Sequence, residues 1–121
     1  MSLAEETLAV QLEQAGIPFE REYRFAPPRR WRADFAVAGT TIHFSNPSQT
    51  IHYNDILVEI DGGGYVAGRH SRGRGMELDA EKQSAAAILG YRVIRATPSQ
   101  VNEGIALGWI RAALGLEEKA A

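Results

Sequence analysis

The run Ile56-Leu57-Val58-Glu59-Ile60-Asp61-Gly62-Gly63-Gly64 constrains the rest of the chain more than any other. Ile, Leu, Val and Ile in so short a stretch read as a buried strand. Yet two carboxylates interrupt it and three glycines close it. Side chains alternate along a strand, so Glu59 and Asp61 share one face with Leu57, while Ile56, Val58 and Ile60 share the other. Burying acids is costly unless cations or hydrogen bonds compensate. A strand that ends with two acids on one face therefore reads as a site. The plain alternative is a sheet edge with solvated acids.

Length and composition narrow the surroundings of that strand. At 121 residues the chain, 1–121, reads as one domain with a single core. Hydrophobic residues make up 45% and charged ones 23%, which suits a globular chain in water. There is no cysteine, which excludes disulfides, thiolate zinc sites and cysteine nucleophiles. No apolar run approaches a membrane span and no leader pattern opens the chain, so a cytoplasmic protein without membrane contact is expected. The net charge of −2 does not advertise nucleic acid, but eleven of thirteen basic residues are arginine, most of them between Arg21 and Arg95. Arginine grips phosphate through two parallel donors where lysine is a point charge. A GC-rich genome produces the same bias, so it counts only together with position.

In chain order, Ser2-Leu3-Ala4-Glu5 fits a capping box, with Leu8, Leu12 and Ala15 following at helical spacing until Gly16 and Pro18. Phe19, Tyr23 and Phe25 alternate with Glu20, Glu22 and Arg24 as a first strand, and Pro27-Pro28-Arg29-Arg30 turns the chain. Trp31, Ala33, Phe35 and Val37 alternate with Arg32, Asp34 and Ala36 as a second strand. Between residues 38 and 55, Thr40 to Phe44 and Thr50 to Tyr53 are able to pair as a hairpin around Asn46-Pro47-Ser48. The central strand follows, then a glycine-rich stretch from Gly62 to Gly75 that reads as a mobile basic loop. Leu78, Ala85, Ala86 and Leu89 mark a helix facing the sheet, Tyr91 to Ala96 a short strand, and Thr97-Pro98-Ser99-Gln100 a capped last helix with Val101, Ile105, Trp109 and Ala112 as its apolar stripe. The order α-β-β-β-α-β-α predicts a mixed sheet flanked by helices.

Asp34 and Glu59 fall on the polar faces of two strands expected to be neighbours. Converging there with the Ile60 carbonyl, they would make the oxygen-rich site that Mg²⁺ prefers. Such a metal activates water and neutralises charge developing on a phosphate. Arg29, Arg30 and Arg32, just before Asp34, and Arg69, Arg72 and Arg74 in the glycine-rich stretch would hold phosphates; as a solvated charge run they need no function. His70 suits a general base or a phosphate contact by its titration range, or is an ordinary loop histidine. His43 and His52 carry no argument, and Trp31 and Trp109 are assigned to the core rather than to base stacking. The parts fit phosphodiester hydrolysis.

Asp34 followed by Glu59-Ile60-Asp61, inside this element order, resembles the PD-(D/E)XK nuclease superfamily. Arg21-Glu22-Tyr23-Arg24-Phe25, Arg30-Trp31-Arg32, Asp34-Phe35-Ala36, Val58-Glu59-Ile60-Asp61-Gly62-Gly63, Gly68-Arg69-His70, Glu81-Lys82 and Gly90-Tyr91-Arg92-Val93 resemble its small phage-type endonucleases, Vsr-like or Holliday-junction-resolvase-like, over roughly residues 5 to 110. The resemblance implies an α/β (α+β) fold with a restriction-endonuclease-like αβββαβ core and an extra C-terminal helix. It implies a Mg²⁺-dependent DNA endonuclease, with Mn²⁺ as substitute, in a bacterium or encoded by its phage. Asp34 and Glu59 become metal ligands with the Ile60 carbonyl, and a first-helix acid, Glu6 or Glu5, often completes such sites; Glu20 competes. Asp61 stands where the superfamily pattern has lysine, the residue that orients water and stabilises transition-state charge. Lys82 is the candidate replacement, since it lies in the stripe facing the sheet; otherwise it snorkels to solvent. Nuclease parts use up nearly the whole chain, leaving little to present to base edges, so selection by DNA shape is expected. The resemblance suggests a homodimer cutting branched DNA, four-way junctions above all. Mismatch-directed nicking, a nucleic-acid-binding module that has lost catalysis, and a purely structural domain remain as alternatives.

Overall fold

The Ser2 hydroxyl accepts from the Glu5 N–H at 3.1 Å and so caps the first helix, α1 (Leu3–Gln14). The computed structural model describes residues 2–43, 50–61 and 74–116, with backbone alone over 39–43 and 50–54. After α1 come β1 (Phe19–Arg24), β2 (Arg32–His43), β3 (Thr50–Ile60), α2 (Arg74–Ile88), β4 (Arg92–Ala96), α3 (Pro98–Asn102) and α4 (Ile105–Ala113). The fold is α+β, with one four-stranded sheet in the order β1-β2-β3-β4. The first three strands are antiparallel, and β4 lies parallel to β3. A parallel neighbour needs a crossover, and α2 lies within it. Of the expected hairpin, the arms pair from Thr40↔Tyr53 to His43↔Thr50 as the far ends of β2 and β3, joined to the central ladder through bulges near Ala38, while Phe44 and the Asn46-Pro47-Ser48 turn lie outside the described residues. Among the described residues no helix is long and apolar enough to cross a membrane.

The alternation read from the central run is borne out. Ile56 and Val58 join Phe35 and Val37 in the main core, under Leu8 and Leu12 of α1, Val101 of α3 and Ile110 of α4. Leu57 points the other way, to a smaller cluster with Phe25, Ala33, Ala36 and Ala86 of α2. The two layers are held very unequally. Burying a leucine stabilises by about 1.5–3 kcal/mol; α1 buries two with two alanines, whereas α2 buries Ala86 alone.

Two expectations need correction here. Leu78 and Leu89 do not face the sheet; they are 44% and 55% exposed, because α2 turns Lys82 and Ala86 inward instead. The last helix is not continuous. The Thr97–Gln100 capping box forms as read, but Gly104, at φ 81°, breaks the helix into α3 and α4. The break rotates the second half, so Val101, Ala106 and Ile110 are buried while Ile105 and Trp109 are exposed. Trp109 is therefore not a core residue.

Candidate active site

The β2–β3 ladder pairs Phe35 with Val58, which sets Asp34 one step further on, level with Glu59. Beyond that step the regular pattern gives way. The Ile60 N–H donates to Asp34 Oδ2 at 2.8 Å, so a side chain takes the place of a backbone acceptor. The neighbouring Asp61 N–H donates to the Ala96 carbonyl at 2.8 Å, on the β4 side. Across a trans peptide the Ile60 carbonyl points the opposite way, towards β2 and Asp34. The Asp34 carboxylate and the Ile60 carbonyl therefore occupy the same gap between the strands.

Glu59 shares the Leu57 face and meets α2 there. Lys82 Nζ donates to Glu59 Oε1 at 2.5 Å, and both side chains are about four-fifths buried. Lys82 does not snorkel to solvent; it is held over the sheet as a charge partner. Asp61, on the same face, is bound by Arg95 of β4 at 2.7 Å, and Arg95 also reaches Asp79 of α2 at 3.4 Å. Asp61 is thus an acid neutralised from the next strand.

A second acidic group adjoins Asp34. The ligand oxygens of Glu5, Glu22 and Asp34 all lie within 4.8 Å of one another, and among the described residues this is the group of three that forms. Glu59 is outside it. Of the first-helix candidates, Glu5 faces Asp34, whereas Glu6 turns away to Arg21 at 2.7 Å. That bond holds the exposed Glu6 carboxyl below the usual carboxylate range. Glu20 is exposed on β1 and takes no part. Glu22 was not among the expected residues. It sits at φ 51° between the Arg21↔Phe35 and Tyr23↔Ala33 pairs, a backbone conformation uncommon outside glycine. Nothing in a glutamate's identity signals that conformation, so periodicity could not have found it.

Arg29, Arg30, Arg32 and Arg74 are exposed. Arg29 lies 4.3 Å from the Trp31 ring centroid and bridges to Glu81 at 3.5 Å. Arg69, His70 and Arg72 lie outside the described residues. Comparison with protein families, with curated proteins and with solved structures gives no match to this chain.

Proposed function

We propose that the chain is a divalent-cation-dependent endodeoxyribonuclease with a restriction-endonuclease-like core, selective for branched DNA. One observation carries the reading: Asp34 caps the Ile60 N–H beside Glu59, and Glu59 is held by a lysine from α2. The available donors are all oxygens, namely Asp34, Glu59 and the Ile60 carbonyl, with Glu5 and Glu22 close to Asp34. That chemistry fits a hard cation such as Mg²⁺, with Mn²⁺ as a substitute. Such a cation, when bound, supplies water activation and neutralises charge on the phosphate.

The chain's own residues account for the remaining requirements. The Ile60 N–H fixes the direction of the Asp34 carboxylate. Lys82 brings positive charge to Glu59 from the helix, in place of the lysine that β3 lacks, and is positioned to hold a phosphate oxygen as charge develops. Arg95 occupies Asp61 and keeps that acid from opposing the substrate. Arg30, Arg32 and Arg74, with Arg69, His70 and Arg72 in the sequence between β3 and α2, are assigned to backbone phosphates. The missing β3 lysine is also what a nucleic-acid-binding module without catalysis would display. Incubating the purified chain with supercoiled plasmid and a synthetic four-way junction, with and without Mg²⁺, separates the two. Metal-dependent cutting, faster on the junction, supports the nuclease. Binding without cutting in either Mg²⁺ or Mn²⁺ supports the module.

A further inference from the structure

Trp31 is expected in the core, yet it is only half-buried and its ring forms part of a groove wall. The groove, about 800 Å³, runs between the β1–β2 turn and α2, with Phe25, Pro27 and Trp31 on one side and Ala85, Ile88 and Leu89 on the other. That volume is typical of a small-molecule site. Phe25 and Trp31 are stacked, 17° between ring planes with centroids 6.3 Å apart, and the Arg29 guanidinium lies over the Trp31 ring. Three flat groups thus line one wall. The Arg29–Glu81 bridge joins two side chains more than half exposed, at 3.5 Å, so it contributes little and yields readily to a competing contact. Arg30, next to Trp31 in the chain, is exposed.

Apolar flat walls beside the exposed Arg29 suit a ligand that is itself flat, aromatic and linked to phosphate. A nucleobase meets all three conditions, because bases stack on aromatic rings and on guanidinium planes alike. A base inside a duplex cannot enter, since both its faces are covered; one that is unpaired or extruded can. The groove also adjoins the candidate active site, because Phe25 lines the small cavity that contains Glu59 and Lys82.

We propose that this groove receives one unstacked nucleobase of the bound DNA against Trp31 and Arg29. The proposal rests on the nuclease reading and gives its preference for branched DNA a physical source. A bulge offers an unpaired base, and the pairs at an open junction are unstacked on one side and extruded more readily than in a linear duplex.

The test measures binding without divalent metal, by anisotropy of labelled oligonucleotides. The probes are a plain duplex, the same duplex with one bulged nucleotide, and that bulge made abasic, which deletes the base and keeps the phosphate. Wild-type chain is expected to bind the bulged duplex about ten-fold more tightly than its abasic counterpart, the scale of one base–aromatic stack. Trp31→Leu, which keeps apolar volume, should lose that factor and leave plain-duplex affinity within about two-fold; Trp31→Phe should retain most of it. Equal binding of bulged and abasic probes by wild type overturns the proposal and leaves the nuclease reading standing. So does a groove that closes on a second copy of this chain, seen as a dimer that Trp31→Leu weakens in the absence of DNA. If wild type binds none of the probes, both readings fall.

Discussion

Lys82 brings positive charge from α2 to Glu59, and under the proposed function its removal is the sharpest single-residue change. Lys82→Ala should slow cleavage by about 10²-fold, the usual cost of deleting one electrostatic stabiliser of a transition state. Steady-state rates on a nicked-plasmid assay check this, and full activity would leave the lysine a structural partner of Glu59. A second residue-scale consequence lies away from the site. Burial, together with the hydrogen bond shared with the Tyr23 hydroxyl, pushes the Tyr91 hydroxyl up to about 12, from an ordinary 10. A raised folded-state pKa means that its contribution to stability is complete below pH 10 and is lost as pH rises towards 12. Denaturation midpoints across that window should fall, and Tyr91→Phe should flatten the fall. Asp34 and Glu59 were legible because strand alternation fixes where their side chains go, whereas Lys82 was expected inward together with Leu78, which stays exposed. Glu22 was not, since its position comes from a positive φ that no local propensity encodes. Choosing Glu5 over Glu6 needed the location of Arg21 across α1, a tertiary contact.

At the scale of elements, the chain is read well where one residue enforces an end and poorly where tertiary contact chooses a face. Ser2 and the Thr97–Gln100 box begin helices where their side-chain chemistry says they should. Gly104 interrupts the periodic run, which moves the buried stripe from the expected Ile105 and Trp109 to Ala106 and Ile110. An alanine there meets no neighbouring atom but must adopt φ 81°, so the cost is purely of the backbone. Gly104→Ala should destabilise by about 1 kcal/mol, the penalty for a left-handed non-glycine residue, without altering cleavage. Thermal denaturation set beside an activity assay tests both halves of that statement. For α2, the sequence offers apolar residues on several sides, so periodicity could not show that Leu78 and Leu89 stay exposed. The face that turns inward carries Lys82, paired with Glu59, and Ala86.

Across the whole molecule, the mixed sheet separates two jobs. α1, α3 and α4 bury the main core on one face, while α2 and the end of β3 carry charged groups on the other. Under the proposed function, substrate choice is expected to follow DNA shape and deformability. A symmetric four-way junction offers two equivalent strands, which suits two copies of a single active site. Sizing by light scattering with junction bound should therefore give a homodimer, whereas a monomer on DNA, or a linear duplex cut at one sequence as fast as any junction, removes the branched-DNA assignment. The central claim is that Asp34 and Glu59 jointly serve one cation-dependent cutting site. It is tested most directly by the rate of Mg²⁺-dependent junction cleavage for wild type, Asp34→Asn and Glu59→Gln, with junction binding measured in parallel. Each substitution removes one negative oxygen ligand and leaves the arginines in place. The expected result is cleavage by wild type alone with binding retained by all three; either variant cutting at near wild-type rate would contradict the assignment.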